Sequence, residues 1–128
     1  MPSEWPTGGE ALQRSFETGD RAPFAALFAP GCISWHDTDG LEVPSADAPG
    51  LDALRPLVDD LHAEIVEHEM LPAGELIRFV VRGTVRVTGR PLAAHNTMIL
   101  TIGDAGITRI DEYVDPTFRA QLTGDDAP

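Results

Sequence analysis

Apolar positions along this chain follow two periods, and the change comes near residue 60. Before it they recur at helical spacing. Leu12 and Phe16 lie one turn apart. Ahead of them, Thr7-Gly-Gly-Glu10 has the form of a capping box, in which a Thr and a Glu three residues on satisfy each other's backbone amides. Gly19 is a natural left-handed stop. Asp20 then predicts the cap of a second short helix with Phe24, Leu27 and Phe28 as its stripe, ended by Pro30-Gly31. Leu51, Leu54, Leu57, Val58 and Leu61 predict a third helix, kinked or restarted at Pro56. Between the second and third helices, residues 32–37 read as a strand. A Pro/Gly/Asp-rich loop follows over 37–50, of the length that often rims a site.

After residue 63 the period falls to two, the spacing of strands. Strands are predicted over 63–71, 75–88, 92–102 and 106–116, with turns at Pro72-Ala-Gly74, Gly89-Arg-Pro91 and Gly103-Asp-Ala-Gly106. Over 75–88, Phe79, Val81, Val85 and Val87 share one face, while Arg78, Arg82, Thr84 and Arg86 share the other. Asp115-Pro116 opens a last short helix holding Phe118 and Leu122, and the acidic tail after Gly124 reads as a frayed end. This order predicts one α+β domain over 1–128. Three N-terminal helices would pack on a strongly curved, mostly antiparallel sheet and enclose a cone-shaped pocket.

One residue breaks the apolar face of the last strand. Alternation turns Thr108, Ile110, Glu112 and Val114 inward, and Arg109, Asp111, Tyr113 and Asp115 outward. A carboxylate among such neighbours needs a partner, a proton or a task. On the strand 32–37, Ile33, Trp35 and Asp37 share one face, with Trp35 and Asp37 expected inward; Cys32, Ser34 and His36 share the other. Asp37 and Glu112 are then two carboxylates in one apolar pocket. There, desolvation and mutual repulsion separate an acid from a base. They are the catalytic candidates; the competing roles are a strand-end cap for Asp37 and a structural ion pair for Glu112. Asn96 shares a face with Leu92, Ala94, Met98 and Leu100 and could hold a carbonyl or a water. The expected substrate-binding lining is Trp35, Asn96, Phe79, Val81, Val85, Met98, Ile110, Val114, Leu12 and Phe16. His95 falls on the outer face, and His62 and His68 lack metal-ligand spacing, so no metal site is expected.

Composition narrows the classes. A 42% apolar fraction in 128 residues supports a folded core. The net charge of −12 disfavours nucleic acid and anionic membranes as partners. All nine basic residues are Arg, which removes Schiff-base chemistry from a side-chain amine. Cys32 is the single cysteine, so no internal disulfide forms. No apolar run reaches the roughly 20 residues of a membrane helix, and no basic-then-apolar leader opens the chain. A cytoplasmic location is the default.

Four segments in this order carry a resemblance: Thr18-Gly-Asp20, Ala29-Pro-Gly-Cys-Ile-Ser-Trp35, Asn96-Thr-Met-Ile-Leu-Thr-Ile102 and Gly106-Ile-Thr-Arg-Ile-Asp-Glu-Tyr-Val-Asp115. Together they resemble the SnoaL-like and ketosteroid isomerase-like members of the nuclear transport factor 2-like superfamily, over nearly the whole chain. The resemblance implies a small, cofactor-independent enzyme that isomerises, cyclises or hydrates an apolar polyketide-, terpenoid- or steroid-like compound. Its alternative is a non-catalytic ligand-binding or interaction module. In ketosteroid isomerases a catalytic Asp ends the first strand, where Asp37 stands; their two enolate donors fall on Leu12 and Met98, which cannot donate. Limonene epoxide hydrolases place an Asp where Glu112 stands, but their Arg and second Asp fall on a strand whose pocket face here is Phe79 and Val81. The resemblance further implies a homodimer through the outer sheet face.

Overall fold

The structure is a computed structural model and describes residues 7–124. The first six residues and the acidic tail lie outside the described residues. The capping box forms as predicted. Thr7 Oγ1 accepts from the Glu10 amide at 3.1 Å and Glu10 Oε1 accepts from the Thr7 amide at 2.8 Å. From it runs helix α1, Gly8–Thr18, which stops at Gly19 with φ 71°. That left-handed geometry favours glycine.

The other two N-terminal helices are shorter than their stripes suggest. Helix α2 spans only Ala22–Ala25, and Phe28 already begins strand β1, Phe28–His36. Helix α3 is a single turn, Leu51–Leu54. Pro56 does not restart it; Val58 opens strand β3, Val58–Leu71, instead. A proline cannot supply the amide that the next turn needs, so the apolar residues beyond it are free to pair in the sheet. Inside the 37–50 loop the chain forms a short strand β2, Glu42–Pro44, and a 3-10 turn, Ser45–Asp47.

Strands β4 (Gly74–Val85), β5 (Pro91–Gly103) and β6 (Gly106–Tyr113) complete one six-stranded sheet in the order β2-β1-β6-β5-β4-β3. Every pairing is antiparallel except β1 with β6, which is parallel. Helix α4, Phe118–Thr123, lies against β5. The core is the inner face of this sheet. Phe79, Val81 and Val85 of β4, Leu92, Ala94, Met98 and Leu100 of β5, and Ile107 and Ile110 of β6 are all buried there, with Leu12 of α1 above them. Val87, expected on that face, lies past the end of β4 and is 74% exposed.

Two of the sheet's register shifts set the phase of the strands around β6. The β5–β6 register shifts between Thr101 and Ile102. It turns Ile107 inward and Thr108 out, against the simple alternation. The β1–β6 register shifts between Phe28 and Ile33, where Gly31 takes φ 79°. Beyond that bulge, the inward set of β1 is Cys32, Ser34 and His36, the reverse of the expectation. Ile33 and Trp35 face the outer side.

A buried carboxylate joins α1 to the sheet. Glu75 is 2% exposed, and its oxygens accept from the Gly8 amide at 2.8 Å and the Gly9 amide at 3.2 Å. His68 Nε2 lies 2.6 Å from the same carboxylate. First-turn helix amides have no intrahelical acceptor, so a carboxylate from a facing strand is a strong anchor for them.

Candidate functional site

Register alone brings the site together. His36 pairs with Glu112 across β1–β6, and Glu112 pairs with Met98 across β6–β5. Met98 pairs in turn with Ile77 on β4. These residues form one row across the inner face. In the next row, Asn96 pairs with Phe79. Helix α1 contributes Leu12, Ser15 and Phe16 above the sheet, and the segment after β2 closes the side with Ser45, Leu51 and Leu54. Together these groups enclose a cavity of about 330 Å³, within the range of small-ligand sites.

Of the predicted lining, Leu12, Phe16, Phe79, Val81, Asn96, Met98, Ile110 and Val114 border this cavity, as does Glu112. Three predicted residues do not. Val85 is 1% exposed but belongs to the core beyond the cavity. Trp35 is on the opposite side of the sheet, packed edge-on against Tyr113 with ring centroids 5.4 Å apart. Asp37 is exposed and extends the β1–β6 ladder. Its amide donates to the Glu112 carbonyl at 3.1 Å and its Oδ1 accepts from the Val114 amide at 2.9 Å. The inverted phase of β1 displaces both Trp35 and Asp37.

The same inversion delivers a group expected on the other face. His36 Nε2 lies 3.1 Å from Glu112 Oε1, with the side chains 32% and 17% exposed. The hydrogen bond to Glu112 raises the His36 pKa above its ordinary value; burial opposes this, and the charges of Glu112, Asp39 and Asp37 add to the rise. The pair is thus an imidazole made more basic than usual, held at one nitrogen by a carboxylate. No partner among the described residues engages His36 Nδ1.

Asn96 is 5% exposed, and its Oδ1 accepts from the Asp115 amide at 2.9 Å. That bond fixes the orientation of the amide, since its oxygen must face the N–H. The Nδ2 group, with no protein acceptor among the described residues, is left for the cavity. Asp115 is itself held in place. Burial raises its pKa, but bonds from the His95 amide and from the Thr117 side chain and amide outweigh this and leave it lowered.

Sequence reasoning also missed the serine wall. Ser34 and Ser45 Oγ atoms lie 2.7 Å apart, and Ser45 Oγ donates to Cys32 Sγ at 3.1 Å. The available signal was Cys-Ile-Ser-Trp-His itself, in which every second residue is small or polar. Among the described residues, no group of three or more His, Cys, Asp or Glu could hold a metal ion. No helix among them is long and apolar enough to cross a membrane.

No protein-family model and no curated protein matches the chain. Solved structures do. A protein of ketosteroid isomerase-like fold from Catenulispora acidiphila, in complex with trimethylamine, is similar at 16% identity and TM-score 0.76, over 96% of this chain and 98% of that one. The candidate hydroxylase AclR from Streptomyces galilaeus is similar at 16% identity and TM-score 0.77, over 92% and 84%. The candidate polyketide cyclase IdmH from Streptomyces antibioticus is similar at 18% identity and TM-score 0.74, over 90% and 94%. The fold of this chain is therefore the ketosteroid isomerase-like form of the nuclear transport factor 2-like fold.

Proposed function

We propose that the protein is a cofactor-independent acid–base enzyme that isomerises or cyclises a small, largely apolar carbonyl compound. The observation that carries this reading is the 3.1 Å contact between His36 Nε2 and Glu112 Oε1, in an apolar cavity that also presents the Nδ2 group of Asn96. Glu112 holds the Nε2 proton, orients the ring and stabilises the imidazolium, the role a carboxylate plays beside a catalytic histidine. His36 Nδ1 takes a proton from the carbon next to the substrate carbonyl. The C–H electron pair becomes the enolate double bond, and the charge gathers on the oxygen, where Asn96 Nδ2 donates. The imidazolium then returns the proton at another carbon, which is isomerisation. Alternatively the enolate carbon attacks a second carbonyl, whose oxygen takes the proton, which is ring closure.

The candidate polyketide cyclase among the structural neighbours supports this reaction class. Arg82, the β4 arginine, is turned to Glu64 at 3.0 Å and does not border the cavity, so β4 supplies no Arg for an epoxide-hydrolase set; this disfavours addition of water. A second copy of the chain would pack on the outer sheet face, where Tyr113 is 46% exposed beside Trp35. Light scattering measures that assembly.

The chemistry is testable without the natural substrate. Exchange of the α-protons of 2-tetralone in D₂O, followed by NMR, reads proton abstraction directly. The protein should accelerate exchange over buffer, and Glu112→Gln should lower that acceleration by about 10²–10⁴. Binding of 2-tetralone with no accelerated exchange would leave a ligand-binding module and sink the enzymatic reading.

A further inference from the structure

We infer that Arg21 is the anchor for a carboxylate on the ligand, so that the cavity takes an aromatic or similarly flat keto acid. This inference rests on the carbonyl chemistry proposed above and names the substrate class more closely. Three observations lead to it. First, the charged side chains bordering the cavity are Arg21, His36 and Glu112. Glu112 is already engaged by His36, which leaves Arg21 without a carboxylate of its own inside.

Second, Arg21 is underused. Its Nη2 donates to the Ser45 and Ala46 carbonyls, both at 3.3 Å. Its ion pair with Asp52, Nη1 to Oδ2 at 4.0 Å, is too long for a hydrogen bond, and the other Asp52 oxygen makes the close bond to Arg55 at 3.0 Å. Nε and Nη1 have no hydrogen-bond acceptor among the described residues. A guanidinium presents its donors as a planar fork that matches a carboxylate. Its side chain is 33% exposed, so it sits where a ligand acid could remain partly hydrated while the rest enters. A chain of net charge −12 would otherwise repel such a ligand.

Third, all five phenylalanines of the chain border this one cavity: Phe16, Phe24, Phe28, Phe79 and Phe118. Phe16 and Phe79 meet at 6.5 Å, and Phe24 and Phe28 meet edge-on at 5.5 Å. Such walls select flat, unsaturated bodies. With the acid on Arg21, the body lies among these rings and the ketone reaches Asn96 and His36.

The test is calorimetric titration with a matched pair, 2-naphthoate and 2-naphthamide, at neutral pH. The acid should bind about tenfold more tightly than the amide, the scale of one charge-assisted hydrogen bond. Arg21→Gln should close the gap by weakening the acid alone, and Arg21→Lys should keep part of it. Thermal melting checks that both variants fold. Equal affinities in the wild type overturn the inference but spare the acid–base reading. A preference that survives Arg21→Gln and disappears in His36→Gln assigns the acid to the imidazole and overturns it too. Failure of both probes to bind overturns the cavity as a ligand site altogether.

Discussion

Glu75 offers the sharpest structural test, because an isosteric change isolates its hydrogen bonds. Its carboxylate is 2% exposed and accepts two α1 amides while contacting His68. In Glu75→Gln the shape is kept. One oxygen still accepts, but the new NH₂ group faces a donor instead of receiving from it. Hydrogen bonds to a charged group contribute about 1.5–3 kcal/mol each, and a buried donor left unpaired costs about 1–3 kcal/mol. Relief from burying a charge offsets part of this. The expected loss is about 2–4 kcal/mol. In urea, with a slope of about 2 kcal/mol per molar for a small domain, the unfolding midpoint should fall by roughly 1–2 M. Because α1 carries Leu12, Ser15 and Phe16 into the cavity wall, affinity for 2-tetralone should fall as well. A midpoint unchanged to within about 0.5 kcal/mol of stability would refute the anchoring role of this carboxylate.

Two further outcomes follow from the site. The His36 pKa is raised in the folded state by Glu112, so the pair contributes stability that is complete below the unfolded value of about 6.5 and is lost as pH rises through the folded value. Glu112→Gln should therefore cost about 1 kcal/mol near pH 6, after discounting for partial exposure, and markedly less near pH 9. Urea titrations at the two pH values check the sign, and a deficit that grows with pH contradicts the pairing. Trp35→Ala, on the far side of the sheet from the cavity, should destabilise the fold while leaving 2-naphthamide affinity unchanged by calorimetry. A large loss of affinity would mean that Trp35 faces the ligand after all.

Much of this architecture is written in local pattern. A capping box, a left-handed glycine stop and three runs of alternating residues bounded by turn-forming glycines and prolines each act over a few residues. For that reason α1, β4, β5, β6 and α4 could be read with small errors at their ends. The same alternation carried Glu112, Asn96, Phe79, Val81, Met98, Ile110 and Val114 to the cavity face. It failed where the chain had no regular phase to propagate. Val58 and Leu61 fit a helix as well as a strand, and only the pairing of β3 with β4 selects the strand.

The site itself turned on β1. Alternation within residues 32–37 is evident from the sequence, but which half points inward is not a local property. The more apolar half, Ile33 and Trp35, was expected in the core; instead it covers the outer face beside Tyr113. The more polar half lines a cavity that has work for polar groups. What decides this is the bulge at Gly31 and the parallel register that sets His36 opposite Glu112. The sequence by itself determined that one acidic residue sits on a greasy strand face. Tertiary pairing alone decided that its partner is a histidine rather than Asp37, because a register between strands some seventy residues apart is a property of the closed sheet and not of either segment.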